Sequence, residues 1–305
     1  MVIHKHKIIF VHKGAFGDFL QTWPSIFSVY NQFKDRKEFY FAGRKVFYPW
    51  LSPLNIKLLD KRKKMALDRV YGDLDLPHEM RDFLIIWFVL KKIPTTRTYE
   101  NIFFLKGIGN KKIKVWQNYL NHIGSLGITG CDNWHKAWLR FFVGDRAHPQ
   151  KIIIFPGSGH RLKNWPISRY IELAERIKGL GEKVSFVLGP VEYERGFSLP
   201  DSFETIYSFG FEELQNIMLK AKLIIGNDSG PMHLAGFNGI PNITIFGPTD
   251  PHLWAPIGSN VIRLGLPCSP CTSTINIKCN TVACIDQIGI DLVYEAVLKC
   301  LAKHE

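Results

Sequence analysis

KLIIGNDSGPMHLAGFNGIPNITIFGPTDP, running from Lys222 to Pro251, is the stretch whose reading sets the fold. Leu223 to Ile225 is a short apolar run, and Asn227, Asp228, Ser229 and Gly230 stop it with residues that favour turns and helix N-caps. Pro231 suits the first turn of a following helix, where its missing N–H costs nothing. A helix over Met232 to Phe237, a second apolar strand from Ile243 to Phe246 and the turn Gly247-Pro248-Thr249 complete the unit. A strand-to-helix turn of this kind offers free backbone N–H groups and the positive end of a helix dipole, which together suit a phosphate. The expected ligand is anionic.

The same alternation extends upstream. Ile152 to Phe155 and Val184 to Leu188 read as strands, and Ser168 to Lys178 and Glu212 to Ala221 as helices. This βαβ repetition predicts an α/β fold with a parallel sheet covered on both faces. The first half opens with a strand at Lys7 to Val11, a turn through Gly14, Gly17 and Asp18, and a helix to about Phe33. Phe19, Leu20, Trp23, Ile26, Phe27 and Tyr30 recur at helical spacing, and Pro24 either kinks that helix or marks its start. Glu38 to Phe41 and Ile56 to Leu59 are further strands, whereas Met65 to Leu105 gives no legible order. Gly144 to Gln150 is polar, contains a proline and reads as a linker between domains 1–146 and 147–305. The amphipathic last helix, with Ile290, Val293, Tyr294, Val297, Leu298 and Leu301, could also return to the N-terminal domain.

At 305 residues and 46% hydrophobic content the chain can bury two compact cores. Its net charge of +12 calls for an acidic partner without choosing among nucleotide, phosphorylated glycolipid, anionic membrane and nucleic acid. The basic residues are dispersed and no nucleic-acid module is recognisable, so no nucleic-acid partner is expected. Lys61-Arg62-Lys63-Lys64 reads as a solvated face, with contact to lipid phosphates as the alternative. The apolar run before Gly14 is too short for a signal peptide, and Phe83 to Leu90 is too short to span a bilayer as a helix. A cytoplasmic protein is expected, with peripheral contact to the inner membrane left open. Cys268, Cys271, Cys279 and Cys284 could ligate zinc or iron, but the second pair is not a close CxxC, and free thiols in a structured loop are the simpler reading.

Several residues have the chemistry of a diphosphate site. Ser229 and the N–H groups near Gly230 can hold phosphate, Asp228 can contact sugar hydroxyls, and His233, one helical turn beyond Ser229, can reach a phosphate. Gly247 and Thr249 lie at the next strand-end turn, beside the same crevice of a doubly wound sheet. In Pro156-Gly157-Ser158-Gly159-His160-Arg161-Leu162-Lys163-Asn164-Trp165-Pro166, small residues let backbone N–H groups approach a diphosphate, and Lys163 can offset charge on a leaving group. Glu192 and Glu194 follow another strand end, in what reads as the first turn of a helix.

Asp228-Ser229-Gly230 with His233, followed by Gly247-Pro248-Thr249-Asp250-Pro251, resembles the signature of glycosyltransferase family 9, the ADP-heptose:lipopolysaccharide heptosyltransferases. Gly17-Asp18 and the Lys-x-Trp-Pro string at Lys163 are similar to further motifs of that family, while Gly14-Ala15-Phe16 departs from the small hydroxyl residues many members carry. The resemblance implies a GT-B architecture, two Rossmann-like doubly wound parallel-sheet domains facing a cleft. It implies an inverting, metal-independent glycosyltransferase without cofactor, moving heptose from ADP-heptose to a lipopolysaccharide core acceptor. Asp18 would be the general base and Lys163 would stabilise the leaving diphosphate. Gly17, Ser158, either Glu192 or Glu194, Asp228, Ser229, Gly230, His233, Gly247 and Thr249 would surround the donor. A protein O-heptosyltransferase and a non-catalytic nucleotide-sugar binder are the alternatives.

Overall fold

The computed structural model describes residues 5–146, 149–272, 277, 279 and 281–303. The chain divides into two compact units, Met1–Ala137 and Trp138–Glu305.

Unit 1 contains β1 (Lys7–Val11), α1 (Phe16–Phe33), β2 (Glu38–Ala42), β3 (Lys57–Leu58), α2 (Lys61–Asp68), β4 (Phe83–Val89), β5 (Ile102–Lys106), α3 (Val115–Ser125) and the start of α4 (Trp134–Phe142). Its five strands are all parallel, in the order β3-β2-β1-β4-β5. Lys7 pairs with Glu38 on one side and with Phe83 on the other. The apolar run at Phe83 is thus a central strand: a strand buried on both faces is apolar throughout, which hides its period of two. Helix α1 passes through Pro24 without ending, and Ser28 Oγ donates to the Pro24 carbonyl at 2.8 Å. Trp23 ties α1 to the segment after β2 by donating its indole N–H to Trp50 O at 2.9 Å.

The basic run forms the start of α2, capped by Asp60, which accepts from Lys63 N at 2.9 Å. Lys63 pairs with Asp60, Arg62 with Glu79, and Lys64 donates to Gly43 O. Three of the four charges therefore have partners within unit 1.

Unit 2 contains β6 (Lys151–Phe155), α5 (Ile167–Gly179), β7 (Lys183–Leu188), α6 (Pro190–Glu194), β8 (Glu204–Tyr207), α7 (Phe211–Met218), β9 (Ala221–Asn227) and α8 (Gly230–Phe237). It continues with β10 (Asn242–Ile245), α9 (Pro251–Trp254), β11 (Asn260–Ile262), α10 (Ala283–Asp286) and α11 (Ile290–Leu301). The six strands are parallel in the order β11-β10-β9-β6-β7-β8. Chain direction across the sheet reverses between β6 and β9, which makes the ends of those two strands the natural ligand site of a doubly wound fold.

The helix expected to reach Ala221 ends at Met218, because Ala221 already pairs with Lys151 as the first residue of β9. Helix α11 buries Val293, Ala296 and Val297 in the unit 2 core and packs against α5. The division at Ala137 and Trp138 precedes the polar linker, whose residues 147 and 148 lie outside the described set. Trp138 explains its own side of that division. Its indole N–H donates to Asn238 Oδ1 at 3.0 Å, and its ring lies 4.8 Å from Phe237 and 4.6 Å from Phe142. Among the described residues no helix is long and apolar enough to cross a membrane.

Candidate active site

At the point of reversal in unit 2 lies a cavity of about 220 Å³. Gly157, Ser158 and Gly159 after β6, together with Ser229, Gly230 and Pro231 at the start of α8, supply its polar end. Val187, Leu188, Val191 and Leu214 supply apolar walls. Ser229 is the N-cap of α8, yet its hydroxyl makes no capping bond, and its Oγ is buried without a partner. A buried hydroxyl left unmet costs roughly 1–3 kcal/mol. Its position beside the unsatisfied N–H groups of a helix start matches the chemistry of a bound phosphate.

Of the two glutamates offered by the sequence, Glu192 reaches the cavity. It is buried, its Oε2 accepts from Gly189 N at 3.0 Å, and it packs on the bare backbone of Gly157. A Cβ at Gly157 would meet Glu192 Oε1 at 1.8 Å, so glycine is needed there for the carboxylate to lie where it does. Glu194, two residues on, is exposed and does not line the cavity.

Lys163 and Asp228 form a buried ion pair, with Nζ 2.6 Å from Oδ2. Thr249 donates to the same Oδ2 at 2.7 Å. Burial alone would push the Asp228 carboxyl up, but Lys163 and His233, with the hydrogen bonds from Lys163 and Thr249, hold it below its usual value. Asp228 is thereby the anchor that fixes the Lys163 ammonium. One residue earlier, Asn227 accepts from Trp165 N at 2.8 Å and Tyr170 Oη at 3.0 Å, and donates to Pro156 O at 2.7 Å. It ties the Lys163 loop to β9. Sequence reading took Asn227 only as a turn residue; its place at the end of a buried apolar strand, where a polar side chain needs partners, was the available signal.

Ser158 is buried at the cavity with its Oγ 2.6 Å from Asn164 Oδ1, which shapes the same loop. His233 does not line the cavity; it is buried with its ring 6.2 Å from that of Trp254. Gly247 is also outside, and a Cβ there would sit 2.9 Å from Ile285 Cβ, so its role is close packing on α10.

An aromatic rim that sequence reading missed borders the cavity. Phe209, in the turn after β8, lines it and is 62% exposed. Tyr193 lies edge-on to both Phe209 and Tyr207, with ring centroids 5.6 Å apart in each case. The signal was Ser208-Phe209-Gly210, a further strand-end turn, but β8 is a short, half-exposed edge strand with no apolar run to announce it.

In unit 1, Gly17 and Asp18 belong to the first turn of α1. Ala15 N donates to Asp18 Oδ2 at 3.3 Å, so the carboxylate caps the helix at long range. Tyr119 of α3 lies near enough that, after burial, the Asp18 charge adds to the rise in its pKa.

The four clustered cysteines are free thiols. Burial first, then Cys279 and Cys268, push the Cys271 thiol up; burial and then Cys271 and Cys268 do the same to Cys284. Cys268 and Cys271 lie in the segment after β11 and Cys284 in α10, and among the described residues no three His, Cys, Asp or Glu side chains are placed as ligands of one ion.

The two parallel α/β sheets are of GT-B architecture. Residues 135–281 match glycosyltransferase family 9 (heptosyltransferase). Lipopolysaccharide heptosyltransferase 1 of Salmonella typhimurium is 30% identical over 124 residues, which is 39% of this chain and only 38% of that protein. Lipooligosaccharide heptosyltransferase 2 of Campylobacter jejuni is 24% identical over 291 residues, 86% of this chain and 89% of that protein. The E. coli heptosyltransferase WaaC, solved with ADP, has the same fold, with a TM-score of 0.67 at 16% identity over 96% of this chain and 99% of that one.

Proposed function

We propose that the chain is an inverting glycosyltransferase that moves heptose from an ADP-linked donor to a lipopolysaccharide core acceptor. The observation that carries the reading is the unmet Ser229 hydroxyl at the start of α8, at the polar end of a cavity that also holds Glu192. Phosphate at that helix start, ribose hydroxyls on Glu192 and a base along Val187, Val191 and Leu214 account for the cavity's polar and apolar parts together. The ADP carried by WaaC and the heptosyltransferase names of the relatives favour this donor class.

In the reaction, Asp18 accepts the proton of the acceptor hydroxyl while that oxygen bonds to the anomeric carbon. The bond from that carbon to the diphosphate breaks, and the departing ADP is stabilised by Lys163, Ser229 and the N–H groups of α8. Attack from the face opposite the leaving group inverts the anomeric configuration.

The test is to offer the purified protein ADP-, UDP- and GDP-linked sugars with lipopolysaccharide lacking heptose, and to read transfer by mass spectrometry. Transfer from ADP-heptose is expected; turnover with UDP- or GDP-sugars alone would sink the donor assignment. Ser229→Ala should leave the protein at least as stable as before, since it deletes an unmet hydroxyl, and should weaken ADP binding by about 1–2 kcal/mol in calorimetry.

A further inference from the structure

His12, the residue that follows β1, is a polar side chain in an apolar place. It is 3% exposed, with its ring 6.0 Å from that of Phe19 and 6.2 Å from that of Phe47. Its Nδ1 is buried and has no hydrogen-bond partner. A leucine or phenylalanine would fill such a site without leaving a polar atom unmet, so packing does not explain a histidine.

The other end of the ring gives the explanation. A Cβ on Gly14 would stand 3.0 Å from His12 Nε2 and equally 3.0 Å from Asp18 Oδ2. The imidazole tip and the carboxylate therefore both border the space over Gly14 that a larger residue would fill. An orphaned N–H in a protein interior is rarer than an unmet acceptor, so the ring carries its proton on Nε2 and leaves Nδ1 as the unmet acceptor. That tautomer places the donor on the ring atom that borders the space shared with Asp18 over Gly14. Burial lowers the His12 pKa to about 3, which keeps the ring neutral at working pH.

We propose that His12 is a positioning residue for Asp18: its neutral Nε2–H, acting across the bare face of Gly14, joins Ala15 N–H in orienting the carboxylate that takes the acceptor's proton. The inference rests on the reading of Asp18 as the base. His12 keeps its own proton throughout. The acceptor proton goes to Asp18, and the aromatic packing around the imidazole holds the donor in one direction.

The proposal predicts that His12→Leu lowers kcat about 10- to 100-fold, the range for losing a hydrogen bond to a charged group. The KM for ADP-heptose and the Kd for ADP should change less than twofold, and the melting temperature should be equal or higher. His12→Gln, which keeps an N–H near the Nε2 position and removes the unmet ring nitrogen, should recover most of the lost kcat. Gly14→Ala, which leaves the imidazole intact but separates it from the carboxylate, should lower kcat as His12→Leu does. Asp18→Asn is measured alongside. If it keeps near-normal turnover, the base assignment itself fails. If Asp18→Asn is inactive while His12→Leu turns over normally, or if the Leu and Gln variants lose kcat equally, the positioning role alone is overturned.

Discussion

Two strand-end turns, one in each unit, carry an aspartate, and they treat it in opposite ways. In unit 2 the turn after β9 buries Asp228 and surrounds it with compensation: the Lys163 ammonium at 2.6 Å and the Thr249 hydroxyl at 2.7 Å. In unit 1 the turn after β1 leaves Asp18 half-buried, beside a histidine whose burial keeps it uncharged. A carboxylate held below its usual pKa by a bonded cation is a poor proton acceptor and a good anchor. A carboxylate flanked by a neutral donor keeps its charge without surrendering it to that neighbour, which is what a base requires. On the proposed reading, the same residue type is given different work by its neighbours.

The largest expected effect tests the anchor. Asp228→Ala leaves the Lys163 ammonium buried without its partner, and breaking a buried pair from one side costs about 3–5 kcal/mol. Urea unfolding should show that loss with an unchanged m-value. ADP binding should fall as well, because Lys163 loses its fixed position. A variant as stable as the parent would mean that the pair is not desolvated and that the contrast between the two turns is false.

A smaller effect sharpens the contrast from the donor side. Phe209 is exposed, so Phe209→Ala should hardly change stability. If a nucleobase stacks on it, ADP affinity should fall by about 1–3 kcal/mol in calorimetry, while affinity for inorganic pyrophosphate stays the same. Equal losses for both ligands would place Phe209 in loop shaping rather than base contact.

How much of this was legible beforehand follows the physics of each region. The unit 2 strands were read from apolar runs because central strands buried on both faces carry continuous Val, Ile and Leu, as at Ile152 to Ile154. The edge strands β8 and β11, short and partly exposed, have no such run. From Met65 to Leu105 the chain passes through the short 3-10 turns Arg69–Gly72 and His78–Asp82, which have no periodicity to read. Ser229 and Lys163 could be singled out because turn and motif residues sit at fixed offsets from strands. The Lys163 pairing to Asp228, the packing of Glu192 on Gly157 and the burial of His12 depend on residues far apart in sequence, which only the folded chain brings together.

The smallest effect isolates the unit 1 turn through its pH dependence. The folded pKa of His12 lies near 3, against 6.5 for the free side chain. Between those values the unfolded chain binds a proton that the folded chain refuses, so stability rises with pH across that window and is lost as pH falls through it. From pH 7.5 to 5.5 this linkage amounts to about 1.4 kcal/mol. His12→Gln has no such proton to bind. Its unfolding free energy, followed by urea titration at both pH values, should therefore decline by about 1.4 kcal/mol less than that of the parent. Equal declines would mean that the imidazole accepts its proton in the folded state, in which case the group beside Asp18 is a cation and the two turns resemble each other after all.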